Sequence, residues 1–163
     1  MKRTENTRIW LLLEEVPDPE IPVLSVIDLG VIRSVEEQDE DIIITITPTY
    51  SGCPAMNQFE ADIKQKLNDH GYPNITINTT YNPAWTTDWI TDEAKQKLEK
   101  FGIAPPQEKT TDKSFILGKP PVVRCPQCKS LNTKMVSQFG STACKSLYQC
   151  SDCKEPFDYF KCL

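Results

Sequence analysis

The densest chemistry in this chain lies in four cysteines set in two pairs, Cys125-Pro126-Gln127-Cys128 and Cys150-Ser151-Asp152-Cys153. Two residues between cysteines let both thiolates reach one ion from a single tight turn. Two such turns supply the four sulfurs of a tetrahedral site, which zinc prefers. The 21 residues separating Cys128 from Cys150 slightly exceed the commonest spacing, and a longer hairpin absorbs the excess. Four thiolates also leave iron open as an alternative, in a mononuclear site or a cluster, with Cys144 and Cys162 as spare sulfurs nearby. A tail this short buries too little apolar surface to offset its chain entropy, so metal binding and folding are expected to be one event.

A seventh cysteine stands apart, in Thr49-Tyr50-Ser51-Gly52-Cys53-Pro54, directly before an amphipathic stretch. Pro54 suits a first helical position, which places Cys53 at the N-cap, where unpaired N–H groups and the helix dipole favour a thiolate. The bland alternative is a small buried hydrophobe at a helix start. Nucleophilic hydrolysis is a poor fit. The single histidine, His70, falls at the far end of the same helix, about four turns away, where it reads as a C-terminal cap. Asp28 and Glu20 are candidate carboxylate ligands, although an Asp before Leu29-Gly30 also makes a turn. Trp85 and Trp89 are candidate partner contacts, because aromatic residues dominate interface hot spots, or else they close the core.

These residues need elements to position them. Arg8 to Glu15 reads as a helix stopped by Pro17 and Pro19, and Val31 to Val35 and Ile42 to Thr47 read as two antiparallel strands. Met56, Phe59, Ile63 and Leu67 recur at helical spacing up to Gly71, and Ile75, Ile77, Thr79 and Tyr81 alternate along a third strand. An aromatic loop, Asn82 to Trp89, leads to a helix capped by Thr91 and ending near Phe101. In the tail, short strands are expected at Thr133 to Phe139, Ala143 to Gln149 and Phe157 to Lys161. The predicted class is α+β: a small mixed domain of helix, hairpin, helix, strand and helix over 1–103, a linker over 104–121, and a β-ribbon on zinc over 122–163.

With 163 residues, a net charge of -5 and a pI near 5.0, the chain lacks the clustered basic surface that phosphate binding needs. Ribbon cations (Arg124, Lys129, Lys134, Lys145, Lys154 and Lys161) form no dense stripe, so protein partners are expected over nucleic acid. The apolar run Ile9 to Leu13 is far short of a signal-peptide core, and no stretch reads as a membrane span. Odd cysteine number and knuckle spacing favour reduced thiols in the cytoplasm. A homo-oligomer stays open.

Asp18-Pro19-Glu20-Ile21-Pro22-Val23, Ile27-Asp28-Leu29-Gly30, Thr47 to Pro54 and Asn82 to Trp89, in this order and spacing, resemble the MIP-type (SufT-like) domain family of iron-sulfur protein assembly over roughly residues 8–103. A ribbon reading Phe139 to Cys144, Tyr148-Gln149-Cys150 and Glu155 to Cys162 narrows the resemblance to the PaaD family of aerobic phenylacetate-degradation operons. That resemblance implies a non-enzymatic accessory of phenylacetate catabolism. It would help assemble or deliver iron or iron-sulfur centres to the multicomponent phenylacetyl-CoA epoxidase, whose components would be its partners. Cys53 matches the family's characteristic cysteine and Asp28 its Asp-Leu-Gly aspartate. The leading expectation is a structural zinc ribbon joined to a domain whose Cys53 transiently ligates iron or a cluster. The rivals are a pure scaffold of the epoxidase complex and an electron-transfer subunit with iron in the ribbon.

Overall fold

The computed structural model describes residues 6–107 and 120–161. It separates into two compact units, Met1–Ala94 and Lys95–Leu163. The first unit begins with α1, Thr7–Glu14, whose Ile9, Trp10, Leu12 and Leu13 are buried. The chain then turns through Pro17 to Gly30. Asp18 organises this stretch by accepting the N–H groups of Glu20, at 2.8 Å, and Ile21, while its own N–H donates to Leu24 O at 2.7 Å. A segment with three prolines in six residues has few backbone donors, so a buried carboxylate that gathers two of the remaining ones holds the loop without regular structure.

β1, Ile32–Gln38, and β2, Asp41–Ile46, form the expected antiparallel hairpin, and Asp39 makes its turn at φ 57°. Ile42, Ile44 and Ile46 are buried at 1% exposure or less, each contributing about 1.5–3 kcal/mol of apolar transfer. α2, Met56–Asn68, buries Phe59, Ile63 and Leu67 and crosses over to β3, Asn74–Thr79, which pairs with β2 in parallel register, Ile42 to Ile75 and Ile44 to Ile77. The sheet order is β1-β2-β3, with α2 packed on both α1 and β3. A salt bridge from Lys66 to Glu15 joins α2 to the end of α1. Tyr81, expected on the third strand, lies past its end and is exposed.

A 3-10 turn, Thr87–Trp89, precedes α3, Asp92–Phe101, which Thr91 caps as expected by accepting the Ala94 N–H at 3.1 Å. The second unit is a four-stranded sheet in the order β4-β7-β6-β5, from β4 (Ile103–Ala104), β5 (Thr133–Ser137), β6 (Lys145–Cys150) and β7 (Pro156–Phe160). The three ribbon strands were expected; β4 was not. It pairs in parallel with β7, Ile103 to Asp158 and Ala104 to Tyr159, at the point where a linker was expected to begin. Residues 108–119 of that stretch lie outside the described residues, as does Cys162. No helix among the described residues is long and apolar enough to cross a membrane.

Candidate functional site

The two cysteine knuckles have the same local geometry. Cys125 N donates to Ser130 O and Cys150 N to Glu155 O, each at 2.9 Å, closing loops of equal length. The residue after each second cysteine, Lys129 at φ 64° and Lys154 at φ 66°, takes the left-handed conformation that turns the chain back. Non-glycine residues rarely sit there, and the pair marks a backbone held by something stronger than local preference. Ser130 Oγ and Asn132 Nδ2 both donate to the Asp152 carboxylate, and Ser151 N donates to Asn132 O at 2.8 Å, strapping the knuckles together. Those hydrogen bonds, from Ser130 first and then Asn132, hold the Asp152 carboxyl below its usual range.

The four sulfurs converge. Cys125 and Cys153 lie 3.7 Å apart, Cys128 and Cys150 3.5 Å, and all four within 4.8 Å of one another. Zinc–sulfur bonds of about 2.3 Å in a tetrahedron require sulfur separations near ~3.8 Å. Disulfides need about 2.05 Å, so the sulfurs here are free thiols arranged around a point. Cys150 is drawn down to about 7, first by the Cys153 backbone N–H and then, against burial, by that of Asp152. Cys153 goes the other way, to about 12: the Glu155 N–H pulls its thiol down, but burial and the sulfurs of Cys128, Cys150 and Cys125 prevail. One thiolate forms readily, and the crowd then resists further loss of protons unless a cation compensates. That is the donor set of a structural dication, and zinc bound there ties the two knuckles into one fold. Zinc has no redox couple in proteins, so such a ribbon offers no electron path.

Beneath the site, Ala104, Val123, Cys125, Tyr148, Cys150 and Phe157 form one buried cluster. Tyr148 stacks on Phe157 at 5.9 Å, meets Tyr159 edge-on at 5.7 Å and donates its hydroxyl to Pro121 O at 3.0 Å. Burial, aided by the neighbouring Tyr159, pushes its phenol up to about 12. Cys144 is buried with its sulfur 3.1 Å from Thr142 Oγ1, outside the tetrad. Several ribbon cations are engaged locally: Lys129 with Glu99, Lys145 with Asp158, Lys154 with Ser151 O and Lys161 with Gln138 O.

Cys53 departs from expectation. The helix starts later, with Ala55 at its N-cap and Met56 as its first residue, so Cys53 sits in the preceding turn, where its N–H donates to Tyr50 O and its carbonyl accepts from Met56 N. Its thiol is pushed up, not down: burial dominates over the hydrogen bonds from Ala55 N–H and the Thr49 side chain, the Glu20 carboxylate adds to the rise, and Tyr50 opposes it. Gly52, at φ 82°, lets the loop fold back while the sulfur stays half-buried. Glu20 is thus the carboxylate felt at Cys53. Asp28 makes its own turn, its Oδ2 accepting Ser25 N–H at 3.0 Å and Ser25 Oγ accepting Asp28 N–H at 3.1 Å. At the head of the same loop Thr47 Oγ1 is buried without a hydrogen-bond partner.

Trp85 and Trp89 part company. Trp85 is 5% exposed and donates its indole N–H to Leu29 O at 2.8 Å, so it closes the core and offers no surface. Trp89 is half-buried, with the Arg33 guanidinium over its ring at 3.7 Å. Sequence reasoning missed this pair and the Ser130–Asn132–Asp152 strap; both join residues too far apart for local pattern to reveal. His70 sits at the end of α2 with Nδ1 2.7 Å from Lys66 O, in the capping role read from its position.

Two family models match the chain. One, described as an iron-sulfur cluster assembly protein, covers residues 6–72, and the other, the PaaD zinc beta ribbon domain, covers 109–161. An Escherichia coli (strain K12) protein provisionally named as a subunit, the D component, of 1,2-phenylacetyl-CoA epoxidase is 47% identical over 155 residues, 95% of this chain and 92% of that protein. A Porphyromonas gingivalis protein named Fe-S protein maturation auxiliary factor is 36% identical over 89 residues, 53% of this chain and 84% of that one. Among solved structures, a domain of unknown function, DUF59, from Bacillus anthracis matches with a TM-score of 0.53 at 30% identity, covering 57% of this chain and 90% of its own. With a first unit that folds like that domain and a tail whose four cysteines form a zinc ribbon, the chain belongs to the PaaD family.

Proposed function

We propose that this chain is an accessory protein of phenylacetate catabolism that helps assemble or deliver iron or iron-sulfur centres to a phenylacetyl-CoA epoxidase, and is not itself the catalyst. The observation that carries the reading is Cys53: a half-buried thiol on a turn before α2, with the Glu20 carboxylate acting on it, in the part of the chain that matches the iron-sulfur assembly model. One soft thiolate and one carboxylate are too few to hold a cluster tightly, so handing the cargo to a site with more ligands is downhill. Burial that raises the thiol keeps it protonated until a cation arrives. Binding then releases a proton, which makes loading weaker as pH falls.

The zinc ribbon supplies a rigid body for docking on the epoxidase components. Among the described residues the cysteines are free thiols, which suits the cytoplasm. The test is anaerobic titration of the zinc-loaded chain with ferrous iron and sulfide, followed by visible absorption, beside Cys53→Ser. Charge-transfer bands in the wild type, absent in the variant, together with loss of epoxidase maturation in cells carrying Cys53→Ser, are expected.

A second reading has its own observation. The raised Cys53 thiol is also what an inert packing residue would show, which fits a scaffold that binds the epoxidase through surface contacts alone. An iron titration that leaves the chain colourless, with maturation undiminished in Cys53→Ser cells, selects the scaffold.

A further inference from the structure

The first unit carries a hollow of about 310 Å³ that the cysteine chemistry does not use. Trp10, Ile27 and Ile32, all less than 10% exposed, contribute its apolar lining, and the more accessible Arg33, Trp89 and Thr91 also border it. The Arg33 guanidinium lies over the Trp89 ring at 3.7 Å, and among the described residues no carboxylate or hydrogen-bond acceptor engages it. A guanidinium stacked in this way keeps its edge N–H groups available as a planar fork, the geometry that receives a carboxylate. Thr91 Oγ1 accepts the Ala94 N–H and retains its own proton to donate. Trp89 is also fixed in place, because Gly30 at φ +66° packs so closely that an added Cβ would lie 2.7 Å from Trp89 O.

We propose that this hollow binds a small organic acid, a carboxylate joined to a compact apolar body. The carboxylate sits on the edge of Arg33 with the Thr91 hydroxyl as a second donor, and the apolar body packs on Trp10, Ile27 and Ile32. The volume stands at the lower end of small-molecule sites, about 300–1,000 Å³, which limits the body to something near a single ring. Arg33, stacked on Trp89 and without an acidic partner among the described residues, places a positive donor at the edge of the hollow, which selects acids over amines. The site is independent of the Cys53 reading and does not fall with it.

The probe is 4-fluorophenylacetate, titrated into the zinc-loaded full chain. Fluorine NMR follows the ligand and the indole N–H signals of the three tryptophans follow the protein. Saturable shifts at the Trp10 and Trp89 indoles are expected. The uncharged 4-fluorophenylacetamide should bind at least about tenfold more weakly, as loss of one charge-assisted hydrogen bond implies. Arg33→Lys, which keeps the charge but loses the fork, should weaken the acid by a similar factor, and Arg33→Gln by more. The proposal is overturned if acid and amide bind alike, if Arg33→Gln leaves affinity unchanged, or if neither indole shows a saturable shift into the millimolar range. Should Arg33→Gln fail to fold, the acid–amide comparison and Arg33→Lys decide on an intact protein.

Discussion

Gly30→Ala isolates the contact that sets the Asp28 turn against the Trp89 segment. Gly30 has φ +66°, and an added Cβ would lie 2.7 Å from Trp89 O and 2.8 Å from Trp89 Cβ, distances real Cβ atoms do not show. Two costs combine. The left-handed conformation costs alanine about 1–2 kcal/mol, and forcing a methyl against the backbone and Cβ of Trp89 adds about 1–3 kcal/mol. Gly71 is the internal control, since at φ +91° a Cβ there meets nothing within 4 Å, so Gly71→Ala incurs the conformational cost alone. All three tryptophans, Trp10, Trp85 and Trp89, fall in the unit Met1–Ala94, so thermal unfolding watched by tryptophan fluorescence reports that unit without interference from the ribbon. At about 4–8 °C per kcal/mol for a domain of this size, Gly30→Ala should melt at least about 4 °C below Gly71→Ala, and Gly71→Ala itself about 4–16 °C below wild type. Equal melting temperatures for the two variants would refute the close approach of Gly30 to Trp89 and, with it, the fixed wall of the hollow.

Elemental analysis should give one zinc per chain. A strong chelator should abolish the near-ultraviolet dichroism of the Tyr148 cluster while leaving tryptophan fluorescence in place; retention of the tyrosine signal in zinc-free protein would show that the ribbon core stands without metal. Trp85→Phe leaves the buried Leu29 carbonyl without its 2.8 Å donor and should cost about 1–3 kcal/mol in urea unfolding, whereas a change below ~0.5 kcal/mol would mean that the hydrogen bond is not needed. The Tyr148 phenol, raised to about 12 by burial, makes a stabilising contribution that is complete below the ordinary tyrosine value of about 10 and is lost as pH rises toward 12. The difference between phenolate titrations at 295 nm of wild type and Tyr148→Phe should therefore show a midpoint well above 10, and a midpoint at 10 contradicts the buried placement.

Residues with short-range signatures were legible in the sequence. The cysteine knuckles declared themselves because a metal needs paired ligands from one turn, and the geometry returned all four sulfurs within 4.8 Å. Phe59, Ile63 and Leu67 announced α2 by spacing, and the unbroken β-branched run of β2 fitted a strand flanked on both sides. The start of α2 differs from expectation because Pro54 at N1 is only a preference. The chain instead spends Cys53 to Ala55 in a turn, and burial of the thiol outweighs any help from the helix end. β4 escaped because two residues have no detectable period, and Trp85 could not be told from Trp89 because both share one loop and one residue type.

Local decisions were written in the order of residues alone: where helices and strands run, that four thiols serve one ion, and that a fifth stands on a turn before a helix. Everything that depends on distant partners waited for the chain to fold. Folding put β3 parallel to β2, brought Glu20 to bear on Cys53 across 33 positions, buried Trp85 under Leu29 and laid Arg33 over Trp89. The reason is physical: capping, periodicity and chelate spacing act over a few residues, whereas desolvation and charge depend on which remote side chains fill the space around a group once the chain has closed on itself.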